Sequence, residues 1–358
     1  MGIVSILKRC ESFVKRQMLY RVHFNTINEM RAGGAFTKLT KEQEEEVQKF
    51  WTKHFGKKIN LKWHEYFYRV NKEFSPRYIP TYIYYAHIAP KMNRAVQSAM
   101  YSDKNMTDIL LGSKIKLPKT YVKNINGIYY IDGEVVSEEV AIAACQNIAD
   151  GVIKHSIDTS KGMSVIRFSS KDGNVSCKNP TTIPALFKQY KRDFIVQEAI
   201  CQSAKMASLN PTSLNTIRIM TYWSENGIVP LFSVVRMGRA GAVVDNASAG
   251  GLYCGVNMDG SLKKYAYTLA PFTANTHTDS GIELNNFQIP NFEELKQKAI
   301  QLHHYLPYVK LVGWDLTIDQ NDEIVLVEAN ANCPGLFQGA TGPAFGEYTE
   351  EILKRCAK

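Results

Sequence analysis

The sequence has no apolar run approaching the roughly 20 residues that a helix needs to cross a bilayer. Its N-terminus lacks the long apolar segment and the small-residue cleavage site of a secretory signal peptide. The seven cysteines are scattered, with no CxxC pair and no His/Cys group at zinc-ligand spacing, so neither a disulfide framework nor a zinc site is predicted. We therefore expect a protein of the reducing cytoplasm.

Two common phosphate-binding signatures are also missing. The chain has neither the Gly-rich Lys-Ser/Thr spacing of a P-loop nor the GxGxxG of a dinucleotide fold, and it shows no internal repeat. What it has is 45% hydrophobic residues over 358 positions, enough to bury two or three packed lobes. Its net charge of +9 favours anionic partners such as nucleotides, acidic sugars or anionic lipid, or belongs to a basic surface without a dedicated partner. No basic stripe or recognition motif supports nucleic-acid binding.

Residues 1 to 100 predict a mainly helical accessory region. The segment LTKEQEEEVQKFWTKHF begins with Thr40 as a capping residue three positions before Gln43, which is a capping-box pattern. We interpret the many aromatic residues of this region as core packing rather than as a stacking surface for bases. The first segment, MGIVSILKRCESFVKRQMLYRVHF, predicts a basic amphipathic helix, which either packs on its own domain or lies on an anionic membrane surface.

From about Asp103 onward, β-branched and aromatic runs alternate with helical patterns, which predicts an α+β fold with antiparallel sheets. We expect helices at SEEVAIAACQNIADG and at NFEELKQKAIQLHHYL, the second starting from Asn291 as its N-cap.

The segment VGWDLTIDQNDEIVLVEANANCPG predicts a hairpin with hard ligands for a cation. Asp315 lies on its first strand, while Glu328 and Asn330 lie two residues apart on the second and so share one face. Two carboxylates and an amide oxygen suit magnesium held against nucleotide phosphates. The alternative is that the two acids are merely solvated at strand ends.

A second candidate is GVIKHSIDTSKGMSVIRF, in which Lys154 on a strand precedes a small polar loop. A lysine and the backbone N–H groups of such a loop can hold phosphate oxygens, although a surface hairpin has the same pattern.

The order of these motifs resembles the ATP-grasp superfamily, within it the carboxylate–amine ligases, and most closely its sugar-transfer-associated branch linked to capsule and surface-polysaccharide synthesis. The resemblance runs from about residue 100 to the C-terminus and rests on these segments: SDKNMTDILLGSKIKLPKTY, GVIKHSIDTSKGMSV, DFIVQEAI, NTIRIMTYW, VVRMGRAGAVVDNASAGG, HTDSG, VGWDLTI and VEANANCPG. It implies an ATP-grasp fold with an N-lobe at 101–200 and a C-lobe at 201–358, after a helical region at 1–100.

The resemblance also implies a role for particular residues. It implies that ATP is bound by Lys104, Lys154, Ser160, Gly162, Gln197, Glu198, Ala199 and Ile200. It implies Arg218, Arg236 and Asn246 as catalytic residues along the acyl-phosphate site, and Asp315, Glu328 and Asn330 as ligands of one or two magnesium ions, with manganese as an alternative.

The expected activity is an ATP-dependent ligation of a small-molecule acid, such as a sugar acid or nucleotide sugar, to an amine such as an amino acid, in the cytoplasm or at the inner membrane surface. Two alternatives share the same residues: a kinase of a sugar or related hydroxyl compound, and a non-catalytic nucleotide-binding module of a glycan-assembly complex. His277, in a polar loop, either contacts substrate, acts as a base or is solvated. The sequence leaves the substrates and the oligomeric state open.

Overall fold

A computed structural model describes residue 14 and residues 17–28, 36–157, 165–242, 245, 250–268 and 273–357. No helix in that part of the chain combines the length and the apolar character needed to cross a membrane.

The first of two antiparallel sheets has eight strands in the order β3-β2-β1-β8-β4-β5-β6-β7. Its strands are β1 Thr120–Ile125, β2 Ile128–Ile131, β3 Glu134–Val136, β4 Gly151–His155, β5 Ile166–Lys171, β6 Asn174–Ser176, β7 Thr181–Thr182 and β8 Phe194–Glu198. Two helices accompany this sheet, α7 Glu138–Ala144 and α8 Ile183–Tyr190, and bury a core between themselves and the strands.

The second sheet has seven strands in the order β13-β12-β11-β10-β9-β14-β15. Its strands are β9 Thr216–Ser224, β10 Gly227–Met237, β11 Leu252–Val256, β12 Leu262–Tyr267, β13 Ala274–Asn275, β14 Leu311–Ile318 and β15 Ile324–Asn330. Every residue of β14 is buried, because this strand lies between β9 and β15 and is covered on both faces. The predicted α+β class with antiparallel sheets is confirmed.

The described part of the chain also has a helix over residues 17–28. The remaining helices surround the second sheet or lead into the first. They are α1 Lys41–Phe55, α2 Lys62–Asn71, α3 Thr81–Ile83, α4 Ala89–Met92, α5 Ala95–Tyr101, α6 Thr107–Leu111, α9 Ala204–Ala207, α10 Phe292–His303, α11 Gln338–Thr341 and α12 Thr349–Ala357. A π-helical turn, Tyr84–Ile88, joins α3 to α4, and 3₁₀ turns occur at Lys104–Met106, Leu284–Asn286 and Gly346–Tyr348.

The N-terminal helices pack on the second sheet and on α12. Trp51, Tyr78 and Tyr82 are buried in one core with Tyr222 of β9 and with the C-terminal helix. The interpretation of the aromatic residues as core packing is therefore confirmed for most of them, while Tyr68 and Tyr85 stay half-buried.

Local signals predicted some helix ends and missed others. The capping box at Thr40 is present in full, with reciprocal hydrogen bonds to Gln43. Asn291 occupies the N-cap position of α10, as predicted, but its backbone is left-handed (φ 51°) and its side chain makes no capping bond. The helix predicted over 137–151 ends at Ala144, because the Ser170 hydroxyl binds the Cys145 carbonyl and accepts the Ile148 N–H, which turns the chain towards β4.

Candidate active site

A row of charged side chains crosses the second sheet where three strands lie side by side. In the strand register, Asp315 on β14 is opposite Arg218 on β9 and opposite Glu328 on β15. Residues directly opposite one another on neighbouring strands point to the same face of a sheet. The strand pairing therefore places an arginine and two carboxylates side by side.

Asp315 is the centre of this row. Arg218 donates to it through two nitrogens, Nε at 2.6 Å and Nη2 at 2.5 Å, and Arg236 on β10 donates through Nη1 at 2.8 Å. The side-chain amide of Asn330 adds a further hydrogen bond at 3.2 Å. Burial by itself would raise the pKa of Asp315, but the two guanidinium groups hold it below its ordinary value, so the carboxylate is ionised.

Arg236 is nearly fully buried and bridges two acids. Its Nη2 donates to Asp245 at 2.7 Å, and the other oxygen of Asp245 accepts from the Thr216 hydroxyl. Burial opposes the charge of Arg236, yet Asp245 and Asp315 together raise its pKa above the ordinary value. The sequence analysis missed Asp245. The signal was available, because a buried arginine needs an acidic partner and Asp245 directly precedes Asn246.

Two lysines approach the carboxylates, Lys104 from the 3₁₀ turn at Lys104–Met106 and Lys154 from the first sheet. Lys104 begins the 3₁₀ turn capped by Asp103, its backbone N–H is bound to the Ser156 carbonyl at 3.1 Å, and its ammonium lies 3.0 Å from Glu328. Lys154 lies on β4. Burial, followed by repulsion from Lys104, lowers the pKa of Lys154 to about 8. The site thus holds two ammonium groups close together before any phosphate is bound.

A cavity of about 290 Å³ lies between the two sheets and collects most of the predicted site residues. The predicted residues that line it are Lys104, Lys154, Gln197, Glu198, Ala199, Ile200, Arg236, Asp315 and Glu328. Arg218 and Asn330 are not part of the lining and reach the site through their contacts with Asp315. The structure therefore brings eleven of the fourteen predicted residues to one place.

The strand end at Glu198 offers hydrogen-bonding groups at the far side of the cavity. The Glu198 N–H donates to the Lys119 carbonyl at 2.9 Å, and the Ala199 N–H donates to the Asp150 carbonyl at 3.0 Å. Among the described residues, the N–H groups of Ile200 and of Cys201 have no backbone partner, so these amides are available to a planar base. The cavity has apolar walls at Val152, Leu214 and Val327, which the sequence analysis did not single out because apolar residues carry no chemical signature.

The donor set fits a small hard cation. Asp315 and Glu328 are adjacent across the strand pair, and Asn330 uses its amide nitrogen on Asp315 and on the Gly313 carbonyl, which leaves its oxygen for a ligand. Among the described residues, no group of three or more His, Cys, Asp or Glu could hold a metal. A cation here would therefore depend on two carboxylates, one amide and phosphate oxygens, which is how magnesium is usually held beside nucleotides.

The loop that follows β15 supports Arg218 from the other side. The Arg218 guanidinium lies 5.7 Å from the centre of the Phe337 ring. A Cβ added at Gly313 would lie 3.2 Å from Pro334 and 3.6 Å from both Arg218 and Asn330, so the glycine allows these groups to pack closely. Ser102 accepts the Ala331 and Asn332 N–H groups and ties α5 to this loop.

Some residues named in the sequence analysis are not placed in this cavity. Ser160, Gly162 and Asn246 lie outside the described residues, as do residues 1–13 of the predicted basic helix. His277 is exposed, bonds to the neighbouring Thr276 hydroxyl at 3.0 Å and does not line the cavity. It is a solvated loop residue.

A family model described as sugar-transfer associated ATP-grasp matches residues 85–352. No curated protein sequence matches the chain.

Three solved structures show distant similarity. The D-Ala:D-Ser ligase VanG from Enterococcus faecalis is 13% identical, with a TM-score of 0.44 over 74% of this chain and 63% of that one. The D-alanine–D-alanine ligase from Bacillus anthracis is 11% identical (TM-score 0.42, 74% and 70% covered). The N5-carboxyaminoimidazole synthetase from Staphylococcus aureus, complexed with ADP, is 10% identical (TM-score 0.40, 72% and 50% covered). The chain thus spans 63% of the length of the first of them.

Proposed function

The chain belongs to the sugar-transfer-associated ATP-grasp family, and on that premise we propose that it is an ATP- and magnesium-dependent ligase that joins a carboxylate to an amine. Its fold is the ATP-grasp fold, with two antiparallel sheets on either side of the site. The observation that carries the proposal is that two lysines, a buried arginine and two carboxylates line one cavity together with Ile200, whose N–H has no backbone partner among the described residues.

Each part of the cavity suits one part of the nucleotide. The apolar walls at Val152, Leu214 and Val327 suit the faces of adenine, and the Ile200 N–H suits its edge. Lys104 on its 3₁₀ turn and Lys154 on the first sheet suit the phosphate oxygens. Asp315, Glu328 and Asn330 would hold magnesium against the same phosphates.

When bound, magnesium ATP supplies the phosphoryl group that converts an unreactive carboxylate into an acyl phosphate, which an amine can attack. The residues of the chain contribute positioning and charge. Lys104, Lys154 and Arg236 place positive charge around the cavity, where negative charge spreads over the oxygens of a transferring phosphoryl group. Arg218, which donates to Asp315 beside the cavity, is assigned to the carboxylate of the acid substrate or to the oxyanion formed when the amine attacks.

The family description favours a glycan-related substrate. We propose that an amino acid is joined to a sugar acid or nucleotide sugar during capsule or surface-polysaccharide synthesis, in the cytoplasm where ATP is available. The basic net charge of +9 is consistent with an acidic substrate.

The proposal is tested by identifying the products of magnesium-dependent ATP turnover across a panel of sugar acids and amino acids. We expect ADP and phosphate to be released only when an acid and an amine are both present, and turnover to be lost in Glu328→Ala. Glu347→Ala changes an exposed glutamate away from the cavity and should leave turnover unchanged.

Two other outcomes would contradict the proposal. A phosphorylated sugar as the end product would make the protein a kinase. Tight ATP binding with no turnover on the whole panel would favour a nucleotide-binding module.

A further inference from the structure

A helix over residues 17–28 packs on the N-terminal region by one face. Ile27 is fully buried, the ring of Tyr20 lies 4.4 Å from that of Tyr82, and His23 stacks on Tyr85 at 4.8 Å. These contacts determine which side of the helix faces the protein and which side faces solvent.

The solvent side carries an apolar stripe, which we define as Val14, Met18 and Val22. These residues are four positions apart, so they lie one above another on a single side of a helix. Their side chains are 55%, 65% and 58% exposed. Single exposed apolar residues are common on protein surfaces, whereas a line of three on one helix face indicates a contact surface.

The sequence around the stripe is basic. The first 28 residues contain a single acidic residue, Glu11, against these five basic ones: Lys8, Arg9, Lys15, Arg16 and Arg21. Of these, Arg21 is described by the structure; it is exposed and lies three positions after Met18, which makes the two residues neighbours on the helix surface. The stripe therefore combines an apolar line with positive charge, the combination that binds a surface of anionic lipid headgroups over acyl chains.

A second copy of the chain fits this surface less well. Two identical basic faces repel each other, and three side chains fall far short of the roughly 800 Å² per partner of a stable interface. We propose that the apolar stripe and Arg21 dock this protein on an anionic membrane surface. The docking goes beyond the ligase reaction and does not depend on it.

The helix over residues 17–28 is also connected to the active site through Tyr85. His23 of the helix stacks on Tyr85, which lies on the π-helical turn and close enough to Arg218 for the guanidinium to act on its pKa. A membrane-bound protein would thus hold the Arg218 side of its site next to the element that carries the anchor.

The test is co-sedimentation of the full chain, without nucleotide, with vesicles of phosphatidylcholine and phosphatidylserine and with vesicles of phosphatidylcholine alone. We expect binding to the anionic vesicles that weakens as salt is raised. Met18→Glu should weaken it by about tenfold or more, since an inserted apolar side chain is lost and a repelled charge is added. Arg21→Gln should weaken it about fivefold. Met258→Glu makes the same change at a residue that is 73% exposed elsewhere, and it should bind like the wild type.

Three results would overturn the proposal. These are wild-type protein that does not sediment with anionic vesicles, binding that is unchanged by Met18→Glu and Val22→Glu, and a solution dimer that Met18→Glu dissolves in the absence of vesicle binding. Thermal unfolding of each variant shows whether it is folded. Because no substrate is used, a failure of the ligase proposal leaves this result unaffected.

Discussion

The charge of Lys154 offers a quantitative test of the nucleotide cavity. Part of its side chain remains exposed, but its ammonium is densely surrounded, and burial together with Lys104 lowers its pKa to about 8. Phosphate oxygens favour the charged lysine, so binding of ATP requires a proton that Lys154 holds only weakly without the nucleotide. At about one pH unit above 8, roughly a tenth of Lys154 is charged, and the affinity for ATP should fall about tenfold, or about 1.4 kcal/mol.

The assay is calorimetric or fluorescence titration of magnesium ATP at several pH values, with Lys154→Arg measured beside the wild type at each pH. Arginine stays charged throughout this range, so the variant should show a flat profile above pH 8, and the comparison cancels any titration of the nucleotide itself. A wild-type profile that is flat across pH 8, or an arginine variant with the same slope, would refute the assignment of Lys154 to the phosphates.

The same lysine should reduce the stability of the protein measured without nucleotide. Below about pH 8, Lys154 is charged in both the folded and the unfolded chain, and the cost of burying its charge lowers the free energy of unfolding in full. Between about pH 8 and about 10.4 only the unfolded chain keeps the proton, so this destabilisation fades as the pH rises. The difference between the lysine pKa values of the folded and the unfolded chain corresponds to a destabilisation of no more than about 3 kcal/mol. Lys154→Met should therefore raise the melting temperature at neutral pH while it weakens ATP binding, and a lower melting temperature would contradict this.

Two further predictions concern the charged row and its packing. Asp245→Ala leaves Arg236 buried with one partner fewer and should lower the free energy of unfolding by about 3 kcal/mol in a denaturant titration. As a control, Asp150→Ala breaks an exposed pair with Arg167 and should cost about 1 kcal/mol or less in the same titration. Equal losses would show that Asp245 is not an essential partner. Gly313→Ala places a methyl group 3.2 Å from Pro334 and beside Arg218. Turnover should fall because the arginine is displaced, and the free energy of unfolding should fall by about 1 kcal/mol. Full activity in a steady-state assay would show that the loop moves freely to make room.

The local parts of the site could be predicted from the sequence because they depend on short-range periodicity. The alternation of side chains along a strand places Glu328 and Asn330 on one face, and a short polar turn returns that strand to the one carrying Asp315. The capping box at Thr40 is equally local. The order of motifs along the chain predicted the family in the same way, since each motif is a short segment.

Other features depended on contacts between distant segments, which no local pattern encodes. Arg218 and Asp315 are 97 residues apart, and they meet only because β14 pairs with β9. Asp245 is the second acidic partner of Arg236, and Glu328 on β15 pairs with Lys104, which is more than 200 residues earlier in the chain. Similarly, the carbonyls of Lys119 and Asp150 accept the N–H groups of Glu198 and Ala199, the two residues before Ile200, and so decide where along this segment an N–H is left for a ligand.

The sequence by itself thus determined the chemistry present in this protein: two lysines, hard oxygen ligands on a hairpin, two arginines in strands and a basic N-terminal helix. The tertiary structure alone decided how those charges are paired and which of them are covered. The physical reason is that pairing and burial are properties of neighbours in space. The pKa of Lys154, the ionised state of Asp315 and the exposure of Val14, Met18 and Val22 all follow from what the folded chain packs around each group, and from what it leaves open to solvent.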